Sequence, residues 1–276
     1  MATASAAPTD ARPALLRVTA SDGVPIAAAR AGQGPPLLLV HGTTSERSRW
    51  LPVLAVLAET RTVYGMDRRG RGDSGDAEAY AIAQEYADVA AVVAAIGGTV
   101  DVVAHSFGAI CALEATLLTG AIGRLVLYEP PVPTPGLADS TDETRVDAIA
   151  ALIASGEPEA ALVGFYRDVL RAPEAEIARL RTQDNWAQRL ALAHTIPREL
   201  RAVRRYRFDP ARFAAMHRPV RLLVGGDSPP RYQASTAALQ AGLRGATTAV
   251  LDGQQHNAIN MAPAAFLAAV TGFLGR

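Results

Sequence analysis

The chain has 276 residues, 49% hydrophobic and 20% charged, a balance that suits a folded globular protein and excludes a disordered one. Lys plus Arg and Asp plus Glu each number 27, so the net charge is zero, which argues against nucleic acid or an anionic membrane as the main partner. There is no Lys at all, which excludes Schiff-base chemistry, and the single cysteine, Cys111, excludes an internal disulfide framework or a multi-cysteine zinc site.

Residues 1–12, rich in Ala, Ser, Pro and Thr, are expected to form a disordered tail. They lack the basic start of a signal peptide, and no apolar run is long enough to span a membrane, so a cytoplasmic location is expected. Residues 15–19 and 24–29 read as strands joined by the turn Ser21-Asp22-Gly23. The continuous apolar run at 36–40 suits a strand buried on both faces of a parallel sheet. Helical spacing follows at 48–59, a strand at 62–66, and a Gly-rich loop, D-R-R-G-R-G-D-S-G, from Asp67 to Gly75. That loop is expected to be held in place by its own polar partners. A helix over 80–96, a strand over 100–104, a helix over 108–119 and a strand over 124–128 continue the alternation.

The rhythm breaks at Pro130. Residues 130–218 show only helical stretches, near 143–154, 159–170, 175–181, 186–194 and 198–206, punctuated by prolines. Strands at 220–224 and 247–251 and helices at 232–243 and 264–274 then resume the pattern. The expected fold is α/β, a mostly parallel central sheet with helices on both faces. Its core comprises 13–129 and 219–276, and 130–218 are an all-helical cap inserted into it.

The stretch V-D-V-V-A-H-S-F-G at 100–108 runs from a buried strand through a sharp turn into a helix, with Ser106 at the apex. This is the context of a nucleophile elbow, in which a strained apex residue projects its hydroxyl from the end of the sheet. The residues two before and two after must be small because strand and helix nearly touch; they are Ala104 and Gly108, with Ala where the usual pattern has Gly. Gly42, in H-G-T-T, lets the backbone turn an N–H toward Ser106, and the N–H of Phe107 supplies a second donor. Losing one such oxyanion donor typically costs about 3–4 kcal/mol. Beyond the cap, Asp227 follows a strand end in G-G-D-S-P-P, and His256 follows the last strand in L-D-G-Q-Q-H. The order Ser106, Asp227, His256 is the chain order expected of a hydrolase triad on such a sheet.

With H-G-T-T, D-R-R-G-R-G-D-S-G, A-H-S-F-G, L-Y-E-P-P, G-G-D-S-P-P and the late Q-Q-H in place, the chain resembles the α/β-hydrolase superfamily over residues 14–276. It is most similar to the capped bacterial esterase, C–C hydrolase and haloperoxidase-like branches. The resemblance implies that Ser106 attacks, His256 shuttles the proton, Asp227 orients the imidazole, and Thr43 and Phe107 form the oxyanion hole through backbone N–H. Some branches place the acid at the strand end before the cap, where this chain has Glu129; Asp227 is preferred on chain order. Among substrate-binding candidates in the cap, Phe165, Tyr166 and Trp186 are apolar and His194 is polar. The six arginines between Arg198 and Arg212 read as a solvated, salt-bridged face rather than a site for a carboxylate. No cofactor or metal is called for, the partner is a small-molecule substrate, and an oligomer is possible but not legible.

The expected function is hydrolysis of an ester or related acyl bond in a small to medium hydrophobic substrate. Ser106 at the elbow, where haloalkane dehalogenases and epoxide hydrolases need Asp, excludes those relatives. Two alternatives stay open: a non-hydrolytic catalyst of elimination, cyclisation or C–C cleavage, and a ligand-binding member without turnover.

Overall fold

Eight strands form a single sheet in the computed structural model, which describes residues 14–136 and 141–275. The tail expected at 1–12 lies outside the described residues. The strands are β1 (Ala14–Thr19), β2 (Pro25–Ala31), β3 (Pro36–Val40), β4 (Thr62–Asp67), β5 (Val100–His105), β6 (Ile122–Tyr128), β7 (Val220–Gly225) and β8 (Thr247–Leu251). Their order across the sheet is β1-β2-β4-β3-β5-β6-β7-β8. The β1–β2 and β2–β4 pairs are antiparallel and every other pair is parallel. The hairpin joining β1 and β2 turns where Asp22-Gly23 was expected to turn it; Gly23 has φ +85° and the Val24 N–H donates to Asp22.

The helices are α1 (Leu51–Ala58), α2 (Ile82–Ile96) and α3 (Phe107–Ala115), then α4 (Glu143–Ala154), α5 (Pro158–Gly164), α6 (Glu174–Arg181), α7 (Trp186–Ala191) and α8 (Ile196–Arg205) between β6 and β7. After β7 come α9 (Pro230–Gly242), α10 (Ala258–Met261) and α11 (Pro263–Leu274). Successive residues of a strand face opposite sides of the sheet. Val102, Leu125 and Leu222 accordingly pack with Val92 of α2, Ile110 of α3 and Leu239 of α9. Their neighbours Val103, Val126 and Leu223 pack on the other face with Leu57 of α1 and Phe266 and Val270 of α11. Both faces are covered, which is why these strands read as largely apolar runs. Among the described residues no helix is long and apolar enough to cross a membrane.

No strand occurs among the described residues between β6 and β7. The helices there bury an apolar cluster of their own, including Val146, Ile149, Leu162, Phe165, Leu180 and Ile196. The single helix expected over 159–170 is broken: α5 ends at Gly164 and a π-helical turn follows at Phe165–Leu170. It closes on Arg171 in the left-handed region at φ +61°, two residues before Pro173. A proline ahead disfavours further helix, and the widened turn is a common way of re-aiming side chains at a site.

The Gly-rich loop after β4 binds this segment to the sheet. Asp67 accepts hydrogen bonds from the N–H groups of Arg47 and Asp73 at 2.9 and 3.0 Å. Gly72 leaves its own Cβ position to that carboxylate, 2.2 Å from Asp67 Oδ2. Arg68 and Arg71 both reach Glu199 of α8, Arg68 also pairs with Glu85 of α2 at 3.1 Å, and Arg198 pairs with Asp76 at 2.8 Å. Burial raises the cost of the Glu199 charge, but Arg68 and Arg71 outweigh it and hold its carboxyl below the usual range. Removing one partner of a buried ion pair strands the other charge. Glu199→Gln is therefore expected to lower unfolding free energy by about 3–5 kcal/mol, read from denaturant melts.

Candidate active site

Ser106 sits between β5 and α3 with φ +55° and ψ −126°, a strained conformation for a residue with a side chain. The surroundings enforce it. Its N–H donates to the Tyr128 carbonyl at 2.8 Å, and its carbonyl accepts from the Ala109 N–H at 2.9 Å. A Cβ on Gly108 would lie 2.2 Å from the His41 carbonyl oxygen, and one on Gly42 would lie 2.8 Å from the Ser106 Cβ. Only glycine fits at either position, so α3 and the loop after β3 close tightly around the serine.

Ser106 Oγ lies 2.9 Å from His256 Nε2, and His256 Nδ1 lies 2.6 Å from Glu129 Oε2. With Nδ1–H donating to the carboxylate, Nε2 is left to accept the serine hydroxyl proton. Glu129 is fully buried immediately after β6, itself at φ +46°. Its other oxygen, Oε1, accepts the Gly225 N–H at 2.7 Å and the Ser228 hydroxyl. The carboxylate is therefore held from both sides and aimed at the imidazole. The His256 ring stacks on Tyr232, centroids 4.5 Å apart and planes 16° apart. Its carbonyl accepts from His105 Nε2 at 3.0 Å.

The expectation that Asp227 pairs with His256 is not met. Asp227 is exposed in the turn after β7, where its backbone N–H donates to the Gln254 carbonyl at 2.9 Å. Glu129, after β6, occupies that place. β6 lies between β5, which presents Ser106, and β7, so the end of β6 is the nearer neighbour of the serine. Gly225 and Ser228, beside Asp227 in sequence, serve the site by binding Glu129 instead.

Thr43 and Phe107 both neighbour the serine. Thr43 shares two cavity walls with Ser106, and Phe107 opens α3. Neither N–H donates to another described residue. His41 and His105 are structural. His41 donates through Nδ1 to the Gly42 carbonyl at 2.8 Å and accepts the Arg68 N–H on Nε2 at 3.2 Å. Burial pushes the pKa of both imidazoles well down, so both are neutral. Cys111 is buried in α3, where burial raises its thiol pKa and makes it inert.

Two cavities meet at Ser106. One is lined by Thr44, Arg49, Tyr166, Glu176 and Arg189 together with His256, and encloses about 70 Å³. The other is wider and mostly apolar, with Val132, Val169, Leu200, Val203 and Phe208 in its walls together with Arg204, Arg207 and Arg231. Phe165 lines both and Tyr166 lines the first. Trp186 and His194, expected beside them, line neither. Trp186 stacks behind Tyr166 with centroids 6.3 Å apart, and His194 is exposed with Nδ1 bonded to the Ala191 carbonyl. Of the six arginines between Arg198 and Arg212, four are salt-bridged as expected: Arg198 to Asp76, Arg201 to Glu143 and Asp147, Arg204 to Glu143 and Arg212 to Glu114. Arg207 donates instead to the Arg204 and Tyr206 carbonyls, and Arg204 and Arg207 also line the wider cavity. Arg49 and Arg189 are the pocket residues that sequence reasoning missed, because nothing in 48–59 or 186–194 distinguishes a buried arginine from a solvated one. No group of three or more metal-ligating side chains that could hold an ion occurs among the described residues.

A model of the alpha/beta hydrolase family matches residues 37–270. The chain is 28% identical over 256 residues to the 2-(acetamidomethylene)succinate hydrolase of Mesorhizobium japonicum, covering 88% of this chain and 89% of that one. It is 40% identical over 110 residues to the N-formylmaleamate deformylase of Pseudomonas putida, covering 38% of this chain and 41% of that one. An alpha/beta hydrolase from Sphaerobacter thermophilus has the same fold with a TM-score of 0.83 and 34% identity, over 94% of this chain and 100% of that one. These likenesses support hydrolase activity. With the family's model spanning most of the sheet and the helices around it, the chain belongs to the alpha/beta hydrolase family.

Proposed function

We propose that the protein is a serine hydrolase of acyl bonds, ester or amide, working through Ser106, His256 and Glu129. The observation that carries this reading is His256 bridging Ser106 Oγ at 2.9 Å and Glu129 Oε2 at 2.6 Å. A serine hydroxyl is a weak nucleophile until a base takes its proton. His256 Nε2 takes it as Oγ bonds to the acyl carbon, and the carbonyl oxygen becomes an oxyanion received by the N–H groups of Thr43 and Phe107. Glu129 stabilises the imidazolium formed in that step. As the intermediate collapses, His256 returns the proton to the leaving oxygen or nitrogen, leaving an acyl-Ser106. Water, deprotonated by the same imidazole, then releases the acid and restores the serine.

Amide bonds enter the reading because the names of the two curated relatives denote acylated nitrogens, an acetamido and an N-formyl group. A nitrogen leaving group needs protonation as it departs, and His256 is placed to supply it. The helices between β6 and β7 act in this reading as a cap: they contribute Phe165, Tyr166 and Arg189 to the cavity over Ser106 and so exclude water from it. The test is turnover of p-nitrophenyl acetate and of a nitroanilide of the same acid. Release of nitrophenol with burst kinetics is the expected result. Tight binding without turnover would favour the ligand-binding alternative.

A further inference from the structure

Six arginines are buried among the described residues: Arg49, Arg61, Arg68, Arg69, Arg71 and Arg189. Four meet a carboxylate. Arg61 pairs with Asp101 at 2.9 Å, Arg69 with Asp88 at 2.7 Å, and Arg68 and Arg71 with Glu199. Arg49 and Arg189, 7% and 8% exposed, have no carboxylate within salt-bridge distance among the described residues. Their hydrogen bonds go to neutral groups. Arg49 donates through Nη1 to Asn257 Oδ1 at 2.6 Å and Asn260 Oδ1 at 2.5 Å, and its buried Nε has no partner. Arg189 donates to the Tyr166 hydroxyl at 2.7 Å and to Asn185 Oδ1 at 3.2 Å. Both line the compact cavity that also holds Ser106 and His256.

Burying two like charges side by side is costly unless an anion joins them. Burial, with Arg189 adding to it, pulls the pKa of Arg49 down to about 10, which still leaves it cationic at neutral pH. Glu176 is the one carboxylate-bearing residue in this cavity wall, so the wall keeps an excess positive charge even when Glu176 is ionised. The neutral partners fix the guanidiniums in place without discharging them. A carboxylate suits the open donors, since it accepts two N–H bonds from an arginine in one plane.

We infer that Arg49 and Arg189 form a carboxylate-binding subsite, so that the substrate is an ester or amide carrying a free acid group a few bonds from the scissile carbonyl. This rests on the reading of Ser106 as an acylated nucleophile. The compact cavity takes the acid-bearing arm, because its two arginines are buried and meet only neutral groups; the wider cavity, mostly apolar with Arg204, Arg207 and Arg231 in its wall, takes the rest. Acid recognition thus falls to one arginine from the segment after β3 and one from α7, outside the arginine-rich stretch at 198–212.

Two measurements test the subsite. In the first, kcat/KM is compared for p-nitrophenyl hemisuccinate and for the same ester with its acid capped as methyl. The wild type is expected to prefer the free acid, and Arg189→Gln to cut that preference ratio about 10–100-fold, the loss of a charged hydrogen bond. Equal kcat/KM for the two wild-type substrates, or a ratio untouched by Arg189→Gln, would overturn the subsite. In the second, calorimetry on Ser106→Ala follows binding of succinate and of succinamide, independently of any turnover. Succinate is expected to bind more tightly, and adding Arg189→Gln to erase the difference; equal binding of the two would overturn the subsite. If no ester is turned over yet succinate is preferred, the nucleophile assignment fails and the anion site stands.

Discussion

Ser106→Ala is expected to lower kcat by about six orders of magnitude, the loss seen when a triad nucleophile is removed. The deleted oxygen is the atom that bonds to the acyl carbon, and it lies 2.9 Å from His256 Nε2 with no second hydroxyl in hydrogen-bond contact with that nitrogen among the described residues. Stability should barely move. Alanine is smaller than serine, Ser106 Oγ makes no other described hydrogen bond, and the strained backbone at φ +55° is imposed by β5, α3 and the close approach of Gly42 and Gly108. Alanine keeps the same Cβ, so the backbone strain is unchanged by the substitution. A thermal melt alongside the rate assay separates the two effects. Wild-type turnover in the alanine variant would rule out covalent catalysis at this serine.

Glu129→Gln is expected to lower kcat by about four orders of magnitude, as loss of the orienting carboxylate does in comparable triads. One oxygen of Glu129 is engaged by the Gly225 N–H and the Ser228 hydroxyl, so the amide oxygen of glutamine takes that place and its NH2 faces His256 Nδ1. Two donors then oppose each other, the imidazole changes tautomer, and Nε2 carries a hydrogen where it must accept one. Asp227→Asn is the matched control. Asp227 is exposed, and its described hydrogen bond runs through its backbone, so its substitution should change kcat by less than about threefold. The opposite ranking would return the acid to Asp227.

The sheet was legible because its central strands are buried on both faces and its strands are rich in apolar residues. The runs at 36–40 and 247–251 match β3 and β8 residue for residue, and the parallel order follows from the alternation of strands with helices. Ser106 and His256 were legible from local context: a serine between small residues at a strand-to-helix turn, and a histidine after the last strand. The acid was not. Two carboxylates follow strand ends, and which one meets the imidazole depends on the turn after each strand. The turn at Gly225–Gly226 carries Asp227 outward, whereas positive φ at Glu129 turns its side chain inward under His256. The cap's interior was legible only in part. A helical pattern identifies Phe165 and Tyr166 as large apolar residues but does not say that a π-helical turn aims them over Ser106, or that Trp186 stacks behind. Arg49 and Arg189 left no trace in the pattern, because a polar residue at helical spacing reads as solvated until the packing around it is known.

The most direct measurement of the central claim is mass-spectrometric mapping of a fluorophosphonate adduct on the folded protein. The phosphorus is attacked only by a serine whose proton has somewhere to go, so labelling reports the activated nucleophile without any assumption about substrate. The expected result is one adduct, on the peptide carrying Ser106, formed rapidly in the wild type and suppressed in both His256→Ala and Glu129→Gln. No adduct on a protein that melts cooperatively, or an adduct at Ser106 whose rate ignores His256 and Glu129, would contradict it.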